Sequence, residues 1–322
     1  MNSDFLGNLA RRPEAGAAIS LVVVLALFTA FGGSGLYGAA SWVNFAANLG
    51  IVALPVGLLM IAGELDISIG AMIPAGSMTI AILSGYYELP IIVGILGSLA
   101  FGVLVGLING YLTVNTSVPS LIITLASLVA VQGLVLSGSV LLTGGASVSL
   151  EAPAWAKFLF GHLIGGSYQV IVIWWLIFTA AFFFAIHKMR YGNWIFAMGG
   201  DIVSARNVGI PTRRLTITLF VLSATCASFV GMCGAIMFNS AQVSGGMNYI
   251  FNTIVSIVVG GVLLTGGFGS ILGIFFGTLT FAVVSQGIYF TNIDRNWSSL
   301  IIGVLLLIAV LMNNTFRQMA LT

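Results

Sequence analysis

Residues 63 to 72 read GELDISIGAM and set two carboxylates, Glu64 and Asp66, inside a long and otherwise apolar stretch. A carboxylate at the centre of an isolated membrane-spanning helix costs about 2.5 to 3.5 kcal/mol. The pair is therefore expected at a turn or along a polar path, with an apolar span on either side. In the turn reading, Asp66, followed by Ile67 and Ser68, suits a helix N-cap, since its oxygens can accept unpaired amides of the first turn. The competing reading, a proton or cation relay through Glu64 and Asp66, finds no second charge within the apolar runs to serve as its partner.

Outward from this turn the chain stays oily. Of 322 residues, 59% are hydrophobic and 6% charged, against roughly a quarter charged in a soluble domain. The apolar runs are long enough to cross a bilayer as helices and too unalternating for barrel strands. We expect an all-α, polytopic protein forming a single transmembrane domain over 1–322. The 41 glycines suit helices that must approach closely in lipid. Cys226 and Cys233 lie seven apart on one expected helix, about 10 Å, which is too far for a disulfide.

Counting apolar windows gives about ten spans, near 16–33, 44–62, 68–86, 90–110, 119–142, 168–187, 214–238, 250–265, 270–290 and 297–312. Arg11 and Arg12 precede the first, which is read as a retained span rather than a cleaved signal. Ten spans put both termini on one side. With that side cytoplasmic, Arg11, Arg12, Lys188, Arg190, Arg206, Arg213, Arg214 and Arg317 fall inside, and Lys157 and Arg295 outside. The positive-inside rule favours this orientation. Residues 1–15 are then a cytoplasmic segment, 143–167 an external loop with a short amphipathic piece near Pro153 and Trp155, and 188–213 a cytoplasmic loop. Two glycine strips, Gly102, Gly106 and Gly110 in the fourth span and Gly269, Gly273 and Gly277 in the ninth, suggest helix-packing faces. They also suggest an inverted repeat relating spans 2–5 to spans 7–10.

In the cytoplasmic loop, Gly199 and Gly200 read as breakers, Asp201 or Ser204 as a cap, and Ser204 to Val208 as a short helix stopped by Gly209 and Pro211. Five cations flank it. It is either a docking surface or an ordinary positive-inside loop. No G-x-x-x-x-G-K-[ST] phosphate loop occurs, and Lys157 and Lys188 lack cradling glycines, so any ATP must be bound by another chain. His162 and His187 are isolated, no metal site is expected, and no catalytic constellation is seen.

Three stretches carry a family resemblance: AGELDISIGAM (62–72), FAMGGDIVSARNVGI (196–210) and IVVGGVLLTGGFGSILGIFFG (257–277), with INGYLTVNTSVPSLIITLAS (108–127) matching as well. Over about 44–314 the chain resembles the membrane permease subunit of bacterial ABC importers of the ribose, xylose and galactoside class. The resemblance implies a permease that dimerises in the inner membrane, receives a monosaccharide or small polyol from a periplasmic binding protein, and is driven by a cytoplasmic ATPase. That ATPase would hold ATP and Mg; this chain would hold no cofactor and meet no nucleic acid, only lipid and its protein partners. Glu64, Asp66, Ser68 and Gly70 belong to the signature turn. Gly199, Gly200, Asp201, Ser204, Ala205, Arg206, Gly209 and Ile210 would form or frame the coupling helix seated in the ATPase. Asp201 stands where the family usually has Asn, and Arg206 lies in an otherwise small or apolar run. Asn48 and Asn252 are the expected path-lining residues. Asp294 and Arg295, in TNIDRNW (291–297), would dock the binding protein or close a turn anchored by Trp297. The alternative function is a cation-coupled secondary sugar transporter using Glu64 and Asp66.

Overall fold

The computed structural model describes residues 14–32, 38–287, 289, 297, 300, 303, 304, 307, 308 and 311. Asp294, Arg295 and most of the tenth apolar window lie outside the described residues. The helices are α1 (Ala15–Gly32), α2 (Ala39–Ile61), α3 (Ile69–Ile80, running on as a π turn through Ala81–Tyr86), α4 (Ile91–Asn115) and α5 (Ser120–Thr143). They continue with α6 (Ala154–Ala156), α7 (Ile171–Lys188), α8 (Arg190–Gly200), α9 (Ile202–Asn207), α10 (Thr212–Phe238), α11 (Met247–Val259) and α12 (Ile271–Gly287). The protein is all-α and polytopic: six of these helices are long and apolar enough to cross a membrane, and three shorter apolar ones accompany them.

Burial separates centre from periphery. The apolar windows of α2 and α10 are 83% and 78% buried, whereas those of α5 and α7 are each 28% buried. The first pair therefore forms the core, and the second turns most of its surface outward from the chain. Two small ladders organise connecting segments. Ser147–Ser149 pairs antiparallel with Ser240–Gln242, and Leu163–Ile164 with Tyr168–Gln169. In the loop 143–167 the short piece around Trp155 is helical, with Ala156 buried and Trp155 and Phe158 exposed.

Two connections between helices reach into the bundle. After α2 the chain runs without helix through 64–67 before α3 starts, and after α10 it runs through 239–246 before α11 starts. These two entries touch: a Cβ on Gly246 would lie 1.8 Å from the Gly70 carbonyl oxygen. Helix pairing crosses between the halves of the chain, with α4 and α3 against α10, and α12 and α11 against α2. The glycine strips have different partners. Added Cβ atoms at Gly102, Gly106 and Gly110 would meet the α10 backbone at Thr225, Val221 and Ile217 at 2.5 to 2.8 Å, whereas Gly273 and Gly277 press on Gly260 and Ser256. Gly269 is not helical; it precedes α12 against the Ile61 and Val262 side chains. The eighth window also ends earlier than its apolar run, at Val259, because Gly261 turns the chain at φ +89°.

Candidate functional site: where three motifs meet

An extended segment inside a bundle must find partners for its backbone, since no water or lipid will supply them. Residues 65–67 find them on α5. The Leu65 amide donates to Ser120 Oγ at 3.1 Å and the Ile67 amide to Thr124 Oγ1 at 3.3 Å. Two residues of strand advance about 6.7 Å and four residues of helix 6.0 Å, so alternate strand amides meet hydroxyls one helical turn apart.

Asp66, between them, is fully buried. One carboxylate oxygen accepts the Ser68 amide at 2.9 Å and the Ser68 hydroxyl at 2.6 Å, and the other accepts Ser223 Oγ of α10 at 2.7 Å. The Asn109 amide donates to Ser68 Oγ at 3.0 Å, and Ser127 donates to the Asn109 carbonyl. Every donor in this chain points toward the carboxylate, which ties α3, α4, α5 and α10 without a cation. Asp66 therefore does not cap α3: Ser68 holds the N-cap position with no side-chain cap bond, and the carboxylate folds back on Ser68 and reaches across to Ser223. Glu64 is half-buried at the same turn, within reach of the Ser120 hydroxyl. Gly70 lies in the first turn of α3, against Ile250 of α11.

The end of α2 is the second part. The Gly267 amide donates to the Ile61 carbonyl at 2.8 Å, and Gly199 lies so close that a Cβ there would stand 1.7 Å from that oxygen and 2.4 Å from the Gly267 nitrogen. Gly266 in turn faces Gly63. The stretches 62–72, 196–210 and 257–277 thus meet backbone to backbone.

From this junction α9 projects. Gly199 and Gly200 do not break the chain; they are the last turn of α8, and the break falls at Asp201, whose extended backbone places it as the N-cap of α9. Its carboxylate accepts the Val203 and Ser204 amides at 2.8 and 3.3 Å and the Ser204 hydroxyl at 2.9 Å. The Ser204 hydroxyl first, then these amides, hold the Asp201 carboxyl below its ordinary range. At the other end, Gly209 N–H bonds to Arg206 O and Ile210 N–H to Ala205 O, with Gly209 at φ +87°: a Schellman stop. Ala205 is buried, while Arg206, Val203 (62% exposed) and Val208 (77%) face outward.

Asn48 and Asn252 lie on α2 and α11. The Asn48 amide bonds to the Asn44 carbonyl and to Gln169 Oε1, lacing α2 to the segment that leads into α7. Asn252 is half-buried on α11. The interior asparagine is Asn109, and a signal for its surroundings existed: Ser120, Thr124 and Ser127 recur at four and three residues, one face of a helix. No cluster of three His, Cys, Asp or Glu side chains able to hold a metal occurs among the described residues.

The chain is a polytopic bundle whose turn between α2 and α3 is packed against a cation-bearing loop, and its class follows from its relatives. Residues 38–310 match the family described as branched-chain amino acid transport system, permease component, and the chain belongs to that family. It is 30% identical over 309 residues to a probable ABC transporter permease of Sinorhizobium fredii, covering 93% of this chain and 87% of the relative. It is 27% identical over 318 residues to the fructose import permease of Rhizobium meliloti, covering 94% and 87%. The ribose import permease of Escherichia coli is 27% identical over 267 residues, covering 82% and 81%.

Proposed function

We propose that this chain is the membrane subunit of an ATP-driven importer that carries a monosaccharide or related small polyol across the bacterial inner membrane. The sugar class is supported by the fructose and ribose import permeases among its relatives. A cytoplasmic ABC ATPase binds ATP and Mg and seats α9. A periplasmic binding protein delivers the sugar at the outer end, and a second copy of the permease completes the path. Both termini are cytoplasmic, in keeping with Lys188, Arg190, Arg206, Arg213 and Arg214 at one end of the bundle.

The observation that carries the coupling is the backbone contact of Gly199 with Ile61 and Gly267. Side chains can yield to a push, but packed backbones move together. Displacement of α9 is therefore passed through α8 to the end of α2, and from there to the turn around Asp66. The relatives give no support to a cation-coupled carrier using Glu64 and Asp66, and Asp66 already has three neutral donors.

The test is co-purification in detergent with candidate sugar-importer ATPases, wild type beside Val203→Glu/Val208→Glu. Both positions are exposed, so the variant should fold. Capture by wild type and loss in the variant supports the assignment. Failure to capture any ATPase, with purified protein in vesicles moving sugar on a cation gradient, would sink it.

A further inference from the structure

One cavity is not absorbed by the transport reading. It occupies about 540 Å³ between α2, α7, α8 and α10 at the end that carries the 188–213 loop. Its body is apolar, walled by Leu58, Phe182, Ile186, Leu215, Leu219 and Leu222, and its mouth holds Arg190 and Arg214. From Leu215 to Leu222 the apolar wall runs about 10 Å along α10. Met189 and Tyr191 in its lining are exposed, so the cavity opens at the protein surface, and the opposite face of α7 exposes Leu176, Ile177 and Phe184.

The charges at the mouth run against local expectation. Arg190 is the first residue of α8, and Arg213 and Arg214 are in the first turn of α10. Helix N-termini carry partial positive charge and favour acidic residues, yet neither first turn contains one. Arg213 is engaged with Asn115. Arg190 lies over the Trp194 ring at 4.9 Å. Among the described residues no carboxylate lines the cavity; Asp201, the nearest along α8, sits at its opposite end. Two helix N-termini and two guanidiniums therefore converge on a mouth with no anion, above an apolar slot. Such a breach of a local rule marks a functional position when something outside the chain offsets it.

We propose that this cavity holds one anionic phospholipid, its phosphate between Arg190 and Arg214 and one acyl chain in the slot. The lipid braces α8, which leads to the Gly199 junction, against the start of α10, and so ties coupling to the anionic content of the membrane. The inference rests on the permease reading for its consequence and on the cytoplasmic placement of this end for the leaflet that supplies the lipid. Retention itself depends on neither, so it is measured first.

The experiment is native mass spectrometry of the purified full chain, given equal phosphatidylglycerol and phosphatidylcholine in detergent. Each cation near an anionic headgroup contributes about fivefold, so Arg190→Gln/Arg214→Gln should lower phosphatidylglycerol retention by about twenty-five-fold. Ala185→Trp, which fills the slot and keeps both arginines, should also abolish retention, while Lys157→Gln at the other end should leave it unchanged. Equal retention of both lipids, or retention unaffected by the arginine pair, overturns the proposal. So does full competition by soluble glycerophosphoglycerol, which would make this an anion site only, or a co-purified polypeptide cross-linked to the slot. In the assembled importer reconstituted without anionic lipid, wild type should then fall to the coupling ratio of the arginine variant; a ratio indifferent to lipid would refute the bracing role.

Discussion

Gly199→Ala adds a single methyl group at the junction of the three motifs, and the structure sets its cost. The new carbon would lie 1.7 Å from the Ile61 carbonyl oxygen and 2.4 Å from the Gly267 nitrogen. Ordinary contact needs a separation of about 3.4 Å, so the end of α8 must withdraw by on the order of 1.5 Å. Withdrawal pulls on the Gly267 to Ile61 hydrogen bond of 2.8 Å. Leaving that buried pair unmade costs about 1 to 3 kcal/mol, and overpacking about as much again. The gain from replacing glycine in a helix, about 0.5 to 1 kcal/mol, offsets little of it. A net loss of about 1 to 5 kcal/mol is expected, read as an earlier thermal unfolding in detergent. Substrate-stimulated ATP hydrolysis in the reconstituted complex should fall with it, since the displaced helix is the one that leads to α9. Gly200→Ala is the control: it lies in the same helical turn with nothing within 4 Å of its added carbon, and should unfold no earlier than wild type. Gly199→Ala with unchanged unfolding and intact coupling would refute the reasoning, and equal damage from Gly200→Ala would show that steric contact is not the cause.

Asp66→Asn should unfold close to wild type, because its carbonyl oxygen still accepts from Ser68. Asp66→Ala strands the Ser68 and Ser223 donors and should cost roughly 2 to 4 kcal/mol; thermal melts that fail to separate the two variants would remove the polar hub. Gly106→Ala drives a methyl group to 2.5 Å from the Val221 Cα and should destabilise by about 1 to 3 kcal/mol. By contrast, Gly133→Ala on α5, with open space around it, should be neutral or slightly stabilising, so equal melts would contradict the α4–α10 packing. The Asp201 carboxyl is held below its ordinary range in the folded loop, so its cap on α9 is fully present above the unfolded value of about 3.9 and is lost as pH falls through the lower folded value. ATPase capture should accordingly be flat from neutral pH down to about 5; a loss centred near pH 6 would point to another group.

Much of this architecture is legible in the chain. The apolar windows and the glycine strip of α4 follow from composition and spacing, because lipid demands long apolar helices and small residues where backbones approach. The cap and stop of α9 follow from local chemistry as well: Asp201 and Gly209 act through residues two to four positions away. Gly199 was misread for an instructive reason. A glycine in a loop sequence suggests a break, but here the helix continues through it, and the missing side chain serves a contact with residues 61 and 267. Nothing within a window around residue 199 contains that contact.

The polar hub was hidden by a mixed period. Leu65 and Ile67 alternate as a strand does, while Ser120, Thr124 and Ser127 recur as a helix does, and neither pattern alone predicts the other. Only the near equality of two strand steps and one helical turn lets them pair. With that pairing in place the extended segment needs no neighbouring strand, and Asp66, fixed between two satisfied amides, has one direction left in which to reach, toward Ser223. The carboxylate that first marked this turn in the sequence is then no isolated charge in an apolar span. It is the point where the turn between α2 and α3 is fastened to α10, and any shift of the Ile61 junction a few residues away must either carry Asp66 with it or break its bonds.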